Sequence, residues 1–253
     1  MSRVYDRFLQ SRALRRWRLA ARQARDVDLA TLRRQRSQAR QLRTHLDTLI
    51  HVADGQLALP MIGSSNFHKP HGTDWTWRPD GWCGPLPVPG MSSVQTKSQL
   101  GHDVTLFHDC EFSELTLRQI RNTQEEDLAP YGLRLDVFNF DGSFLSLVVD
   151  LPSEAVDGLT RNHLLRVDAI VELEKPLEIF ARMNIKHGPN TEQIVRELPL
   201  HEKNITIEFD LAYSRLNEKR VERAWLDLIF EGPQMNQVTL RDLTFMRLPR
   251  AAI

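Results

Sequence analysis

The sequence predicts a mainly β protein: an antiparallel, jelly-roll-like β-sandwich over residues 103–253, preceded by a basic α-helical extension. Three observations predict it. From Val104 onward, apolar and polar residues alternate with the two-residue period of a strand in nine separate runs. Turn-forming Gly, Pro, Asp and Asn fall between those runs. Before residue 60 the apolar period is that of a helix, and the positive charge there is carried by arginine, with no lysine.

Length and composition agree with this division. With 253 residues, 41% hydrophobic and 26% charged, the chain can bury a sizeable core. No window approaches the roughly 20 apolar residues of a membrane span. The first 25 residues are Arg-rich like a transit peptide, yet they lack a secretory h-region and run on into a longer patterned helix. The expected location is cytoplasmic, with peripheral attachment to the inner face of the membrane as a variant. The formal net charge of zero conceals two opposed parts. Residues 1–59 carry 13 Arg, no Lys and 5 Asp, a net +8, whereas residues 60–253 carry 20 basic and 28 acidic groups, a net −8. Such a split suits docking of the basic part on an anionic partner.

Residues 1–59 read as two helices. The first places Leu9, Ala13, Trp17, Ala20, Ala21 and Ala24 on one side and arginines largely on the other; Phe8, Leu9, Trp17 and Leu19 are its only bulky candidates for a membrane surface. The second has Leu32, Ala39, Leu46 and Ala53 interleaved with Gln35, Leu42 and Leu49, a heptad stripe flanked by Arg33, Arg36, Arg40 and Arg43. A parallel homodimer would find no attractive charge pairs beside that stripe, and three heptads are short for a coiled coil alone. Leu32, Arg36, Leu42, Arg43, Leu46 and Leu49 are therefore the expected partner-binding residues, facing the acidic sandwich, a second copy or another protein. Nucleic acid is not an expected partner, because no aromatic-interleaved binding motif accompanies the charge.

Residues 60–102 form a Pro/Gly/Trp-rich wrap. Pro60, Pro70, Pro79, Pro85, Pro87 and Pro89 alternate with Gly63, Gly72, Gly81, Gly84 and Gly90, so irregular chain is expected. Trp75, Trp77 and Trp82 argue that it packs on the sandwich. The β runs then follow: 104–107, 115–120, 133–140, 144–151, 164–173, 177–185, 205–213, 224–230 and 238–245. Asp141-Gly142 predicts a two-residue hairpin, and Pro152, Lys175-Pro176, Gly188-Pro189-Asn190 and Gly232-Pro233 predict further turns.

Two candidate ligand sites emerge. Around Trp75, Trp77 and Trp82, exposed indoles would stack on a sugar ring while Asp74, Arg78 and Asp80 hydrogen-bond its hydroxyls; the plainer alternative is that the indoles seal the end of the core. On the polar strand faces, Arg182, Asn184 and Lys186 would join Glu208, Asp210 and Asp227 in a groove for a polyhydroxylated or charged ligand, or else form solvated cross-strand ion pairs. His68, His71, Cys83, His102, His108 and Cys110 match no structural zinc spacing, so no metal is expected, and no cofactor. Cys83 and Cys110 are expected as free thiols. No phosphate loop, nucleophile elbow or catalytic triad pattern is present, and no carboxylate pair can be nominated, so no catalytic residue is assigned.

The body resembles an alphaproteobacterial family, a domain of unknown function, through Asp74-Trp75-Thr76-Trp77-Arg78-Pro79, the segment Phe180 to Gln193, and Ala224-Trp225-Leu226-Asp227-Leu228-Ile229-Phe230. That resemblance implies a bacterial origin and transfers no functional residue. Val238-Thr239-Leu240-Arg241-Asp242-Leu243-Thr244-Phe245 is similar to the closing strand of jelly-roll carbohydrate-binding modules, which implies a glycan partner. Three functions are thus expected in order: a non-catalytic binding or assembly protein tethered through its basic helices, a carbohydrate-binding module, and a sugar-active enzyme on the same fold.

Overall fold

A computed structural model describes residues 2–57, 67–124 and 127–250, with the side chains of 10–49 in the helical part. The chain divides into two compact units, residues 1–54 and 55–253. Pro60 and Gly63, and the side chains of Phe8, Leu9 and Ala53, lie outside the described residues.

The first unit is built on two helices, α1 (Ser2–Gln23) and α2 (Leu29–Leu57). Asp28 starts the second: its Oδ1 accepts the Thr31 backbone N–H at 2.9 Å, satisfying one of the donors that every helix leaves open at its first turn. That bond holds the exposed Asp28 carboxyl below its usual range. Arg16 donates to Gln38 at 3.2 Å, bringing α1 alongside α2. Half-buried positions include Trp17 and Ala20 on α1, Ala24 in the turn after it, and Thr31, Leu32, Gln35 and Ala39 on α2. The second half of the heptad stripe is open: Leu42, Leu46 and Leu49 are 41%, 45% and 63% exposed. Arg36 and Arg43 are exposed, and Arg43 pairs with Asp47 one turn on at 3.2 Å.

Among the described residues the second unit is a sandwich of thirteen strands. In chain order they are β1 (Trp75–Trp77), β2 (Gly90–Ser92), β3 (Ser98–Leu100), β4 (Val104–His108), β5 (Leu115–Arg121), β6 (Tyr131–Val137) and β7 (Leu145–Asp150). There follow β8 (His163–Leu173), β9 (Glu178–His187), β10 (Asn190–Glu197), β11 (Asn204–Asp210), β12 (Val221–Glu231) and β13 (Asn236–Pro249). One sheet has the order β11-β8-β13-β6-β5-β2, with β1 also on β13; the other has the order β10-β9-β12-β7-β4-β3. Every pairing is antiparallel. The mainly β sandwich with an N-terminal helical segment is therefore present.

Alternation explains the core. Leu165, Val167 and Ala169 face Ile205, Ile207 and Phe209 within the first sheet, while Ile179, Ala181, Met183 and Ile185 lie beside Ala224, Leu226, Leu228 and Phe230 in the second; all are buried. Burying a side chain of this size contributes about 1.5–3 kcal/mol. A bulge on β13 at Leu240/Asp242 marks where its partner changes from β6 to β1. Gly132 is required beside that bulge, because a Cβ there would lie 2.7 Å from the Leu240 carbonyl oxygen.

Four expectations need correction. The wrap is not wholly irregular: it supplies β1, β2, β3 and the single-turn helix α3 (Asp80–Cys83). These strands fit between the prolines because each is only three residues long and β2 and β3 lie at sheet edges. Asp141-Gly142 is not a two-residue hairpin, since β6 and β7 belong to different sheets and residues 138–144 cross between them. Gly142 is instead packed against Asp109, whose carboxylate accepts the Ser143 and Phe144 backbone N–H groups. The run through Tyr213 ends at Asp210, leaving Tyr213 84% exposed with the Arg250 guanidinium over its ring. Finally, β10 was invisible to alternation, because on this edge strand only Glu192 and Ile194 are half-buried and Ile194 alone of its apolar residues packs against the core. Gly188-Pro189 does turn the chain into it, with Gly188 at φ +60°, the geometry of a hairpin turn with glycine first.

Candidate functional site

The Trp-rich stretch is structural. Trp75 and Trp77 stand opposite Arg247 and Phe245 on β13, stack on one another at 6.5 Å and pack against the core, Trp77 lying 5.5 Å from Phe245. Trp82 is 0% exposed and donates its indole N–H to the Leu240 carbonyl at 3.0 Å, a group next to the bulge. Arg78 is buried too, gripping Asp242 through Nε (2.9 Å) and Nη2 (2.7 Å). Burial pushes the Asp242 carboxyl upward against the pull of Arg78. Of the candidate platform, Trp82 and Arg78 are buried and Trp75 and Trp77 are half-buried against the core, the arrangement of the core-sealing alternative.

The polar groove is half assembled. Asp210 and Glu208 lie on β11 in the other sheet, and Asp210 pairs with Arg250 at 3.3 Å, so neither joins the rest. Lys186 sits toward the end of β9 and pairs with Glu222 at 2.8 Å. Arg182, Asn184 and Asp227 do meet, because β9 and β12 are neighbours whose register sets Arg182 directly opposite Asp227. Arg182 places Nε (2.8 Å) and Nη2 (2.6 Å) on Oδ2 of Asp227, and Asn184 adds its amide at 3.1 Å. Gln193 of β10 donates to the Asn184 amide oxygen at 2.8 Å. The result is a fixed relay across three strands, with the Asp227 charge fully engaged on one oxygen.

Beside the relay lies a groove of about 620 Å³ on the outer face of the second sheet. Trp225, Asp227, Ile229 and Arg223 come from β12; Ser146, Val148 and Asp150 from β7; Thr105 and Phe107 from β4; Arg182 from β9; and Phe144 from the preceding loop. It crosses four strands, roughly 14 Å at the usual strand spacing, and runs roughly 13 Å along β12 from Trp225 to Ile229. The outer face of a sandwich is ordinarily solvated, yet here Phe107, Phe144, Val148, Trp225 and Ile229 make it apolar. Arg223 lies over the Trp225 ring at 4.7 Å. Burial pushes the Asp150 carboxyl up, Arg223 pulls it down and Asp227 pushes it up again. Ser146 is buried at the groove floor with Oγ in no protein hydrogen bond. Phe107 and Ile229 flank it across the neighbouring strands, Val148 follows it on its own strand, and Phe144 precedes it in the loop.

Sequence reasoning missed Trp225, Phe107, Phe144, Ser146, Asp150 and Arg223. One signal was available: between Ala224 and Phe230 the residues facing away from the core include Trp225 and Ile229, where a wet face calls for polar groups. The two groove carboxylates, Asp150 and Asp227, stand side by side on one sheet face, and the register makes them diagonal neighbours on adjacent strands. Among the described residues no cluster of three or more His, Cys, Asp or Glu is placed to hold a metal ion. His108, one of the metal candidates, is buried, with Nε2 2.8 Å from the Val94 carbonyl and Nδ1 accepting the Cys110 N–H at 3.2 Å.

Solved structures align with the chain at low scores. The family 11 carbohydrate-binding module from Clostridium thermocellum, in complex with a β-1,3-1,4-mixed-linked tetrasaccharide, aligns with a TM-score of 0.40 and 11% identity over 65% of this chain and 99% of its own. The enzymatically active domain of bacteriophage CBA120 tailspike protein 4 gives 0.41 and 9% over 61% of this chain and 21% of its own. The CBM22-1 xylan-binding domain from Paenibacillus barcinonensis Xyn10C gives 0.35 and 12% over 64% and 94%. Likeness at this level says nothing of what this chain binds. No curated protein matches the sequence. The model of a family described as "Family of unknown function (DUF6478)" matches residues 1–253, and the chain belongs to that family.

Proposed function

We propose that the protein is a glycan-binding protein whose site is the groove on the outer face of the β10-β9-β12-β7-β4-β3 sheet. One observation carries the reading: a solvent-facing sheet surface that pairs an indole and two phenyl rings with a pre-ordered Arg182–Asp227–Asn184 network. Sugar rings present apolar C–H faces and hydroxyl edges. An aromatic floor takes the first and fixed polar groups take the second. A shallow site whose carboxylates share one wall suits holding a ligand more than cleaving it, since glycosidic cleavage places two carboxyl groups on either side of the scissile bond. The test is retention on a panel of immobilised glycans by the intact chain and by Trp225→Ala. Wild type should be retained and the variant released with at least a tenfold affinity loss, the scale of a central aromatic contact. Equal retention, or none by either, contradicts the reading.

A second reading concerns the helical unit. Leu42, Leu46 and Leu49 leave an apolar stripe uncovered beside Arg36 and Arg43, and we propose that this face docks an acidic protein surface, giving the chain its assembly role. Leu42→Glu/Leu46→Glu/Leu49→Glu in the intact chain should lower the assembly size read by sedimentation in cell extract. An unchanged profile removes the role.

A further inference from the structure

We propose, building on the groove as the glycan site, that its ligand is a neutral polysaccharide and not one bearing uronic acid or sulfate groups. The ionisable side chains lining the groove are two acids and two bases: Asp150, Asp227, Arg182 and Arg223. Arg182 is committed to Asp227 through two bonds to the same oxygen, so it cannot turn to an incoming anion without stranding a carboxylate that is 4% exposed. Arg223 is the one lining cation outside an ion pair among the described residues. Its field is already shared between Asp150 and Glu222, whose carboxyls it pulls down, and its guanidinium is held over Trp225.

The remaining surface points the same way. What the groove leaves unmatched is a hydroxyl, Ser146 Oγ, set among Phe107, Phe144, Val148 and Ile229. A carboxylate or sulfate brought against that ring would lose its hydration, with only Arg223, held over Trp225, as an offsetting charge outside an ion pair. A hydroxylated ring face loses little there. At longer range residues 60–253 carry a net −8, which disfavours a polyanion at the groove, whereas the net +8 of residues 1–59 can hold one elsewhere on the chain.

The experiment titrates the intact protein by calorimetry with neutral soluble polysaccharides (a β-glucan, a galactan, a xylan) and with polygalacturonate and heparin. Each titration is run at about 0.05 M and about 1 M NaCl, which shortens the screening length several-fold. The expected result is binding within the neutral set, changed less than threefold by salt, and lost in Trp225→Ala. Binding confined to the polyanions, weakened at high salt and abolished by Arg223→Ala, overturns neutrality while leaving the groove as the site. Binding by neither set, or neutral binding that survives Trp225→Ala, overturns the groove reading and this inference together.

Discussion

Arg182 and Asp227 face each other across β9 and β12, and both guanidinium donors of the pair fall on the single oxygen Oδ2, at 2.8 and 2.6 Å. Asp227 is nearly buried while Arg182 remains about one-third exposed. The asymmetry means that the arginine serves the carboxylate: removing Arg182 leaves a buried charge with the Asn184 amide alone. Arg182→Ala should cost about 1.5–3 kcal/mol in denaturant unfolding, the range of a hydrogen bond to a charged group. A loss within experimental error would mean that Asp227 is adequately satisfied without it.

The second buried pair separates stability from binding. Arg78 and Asp242 sit beside the bulge of β13, in the first sheet, away from the strands that line the groove. Asp242→Asn strands a buried guanidinium and should lower stability by about 3–5 kcal/mol. Below its melting transition the variant should bind glycan with wild-type affinity. Weakened binding by a folded Asp242→Asn protein would tie the Trp-rich plug to ligand recognition.

Asp150 predicts a pH effect of opposite sign to the usual acid denaturation. Its carboxyl is raised above the ordinary 3.8 chiefly by burial. Between that value and the raised one the folded state holds more protons than the unfolded chain, so stability falls as pH rises through the window and stays reduced above it. Asp150→Asn should therefore raise the melting temperature at pH 7 and lose that advantage below about pH 4. A variant less stable at pH 7 would show that attraction from Arg223 outweighs burial.

Ser146 offers a test that a purely structural serine fails. Its hydroxyl is buried without a protein partner, so Ser146→Ala should leave stability unchanged or raise it by up to about 1 kcal/mol. A loss of more than about 1 kcal/mol in thermal unfolding would show that the hydroxyl is already satisfied.

The sandwich was legible because burial on one face writes a period of two into the sequence, as in Leu165-Val167-Ala169. Strand β10 was not, since this edge strand sets only Ile194 against the core, too little to write a period of two. Asp141-Gly142 misled because the same dipeptide suits a tight hairpin and a crossing loop held by Asp109. At the site, Arg182, Asn184 and Asp227 were legible as polar residues on neighbouring strands, whereas Asp210 was grouped with them because sequence does not say which sheet a strand joins. The indoles were the main reversal. Trp75, Trp77 and Trp82 drew notice by clustering in sequence, yet Trp82 is buried and Trp75 and Trp77 are half-buried against the core; Trp225, in a strand that alternates between core and groove, is the one turned to the groove.

That reversal sets the decisive measurement: calorimetric titration of a glycan retained by the wild-type chain into Trp225→Leu and Trp75→Leu, each confirmed folded by circular dichroism. Leucine keeps apolar bulk and removes the indole plane, so both variants isolate stacking. The account predicts at least a tenfold loss of affinity for Trp225→Leu and wild-type affinity for Trp75→Leu. Full affinity in Trp225→Leu with loss in Trp75→Leu would contradict it and return the site to the Trp-rich end of the sandwich.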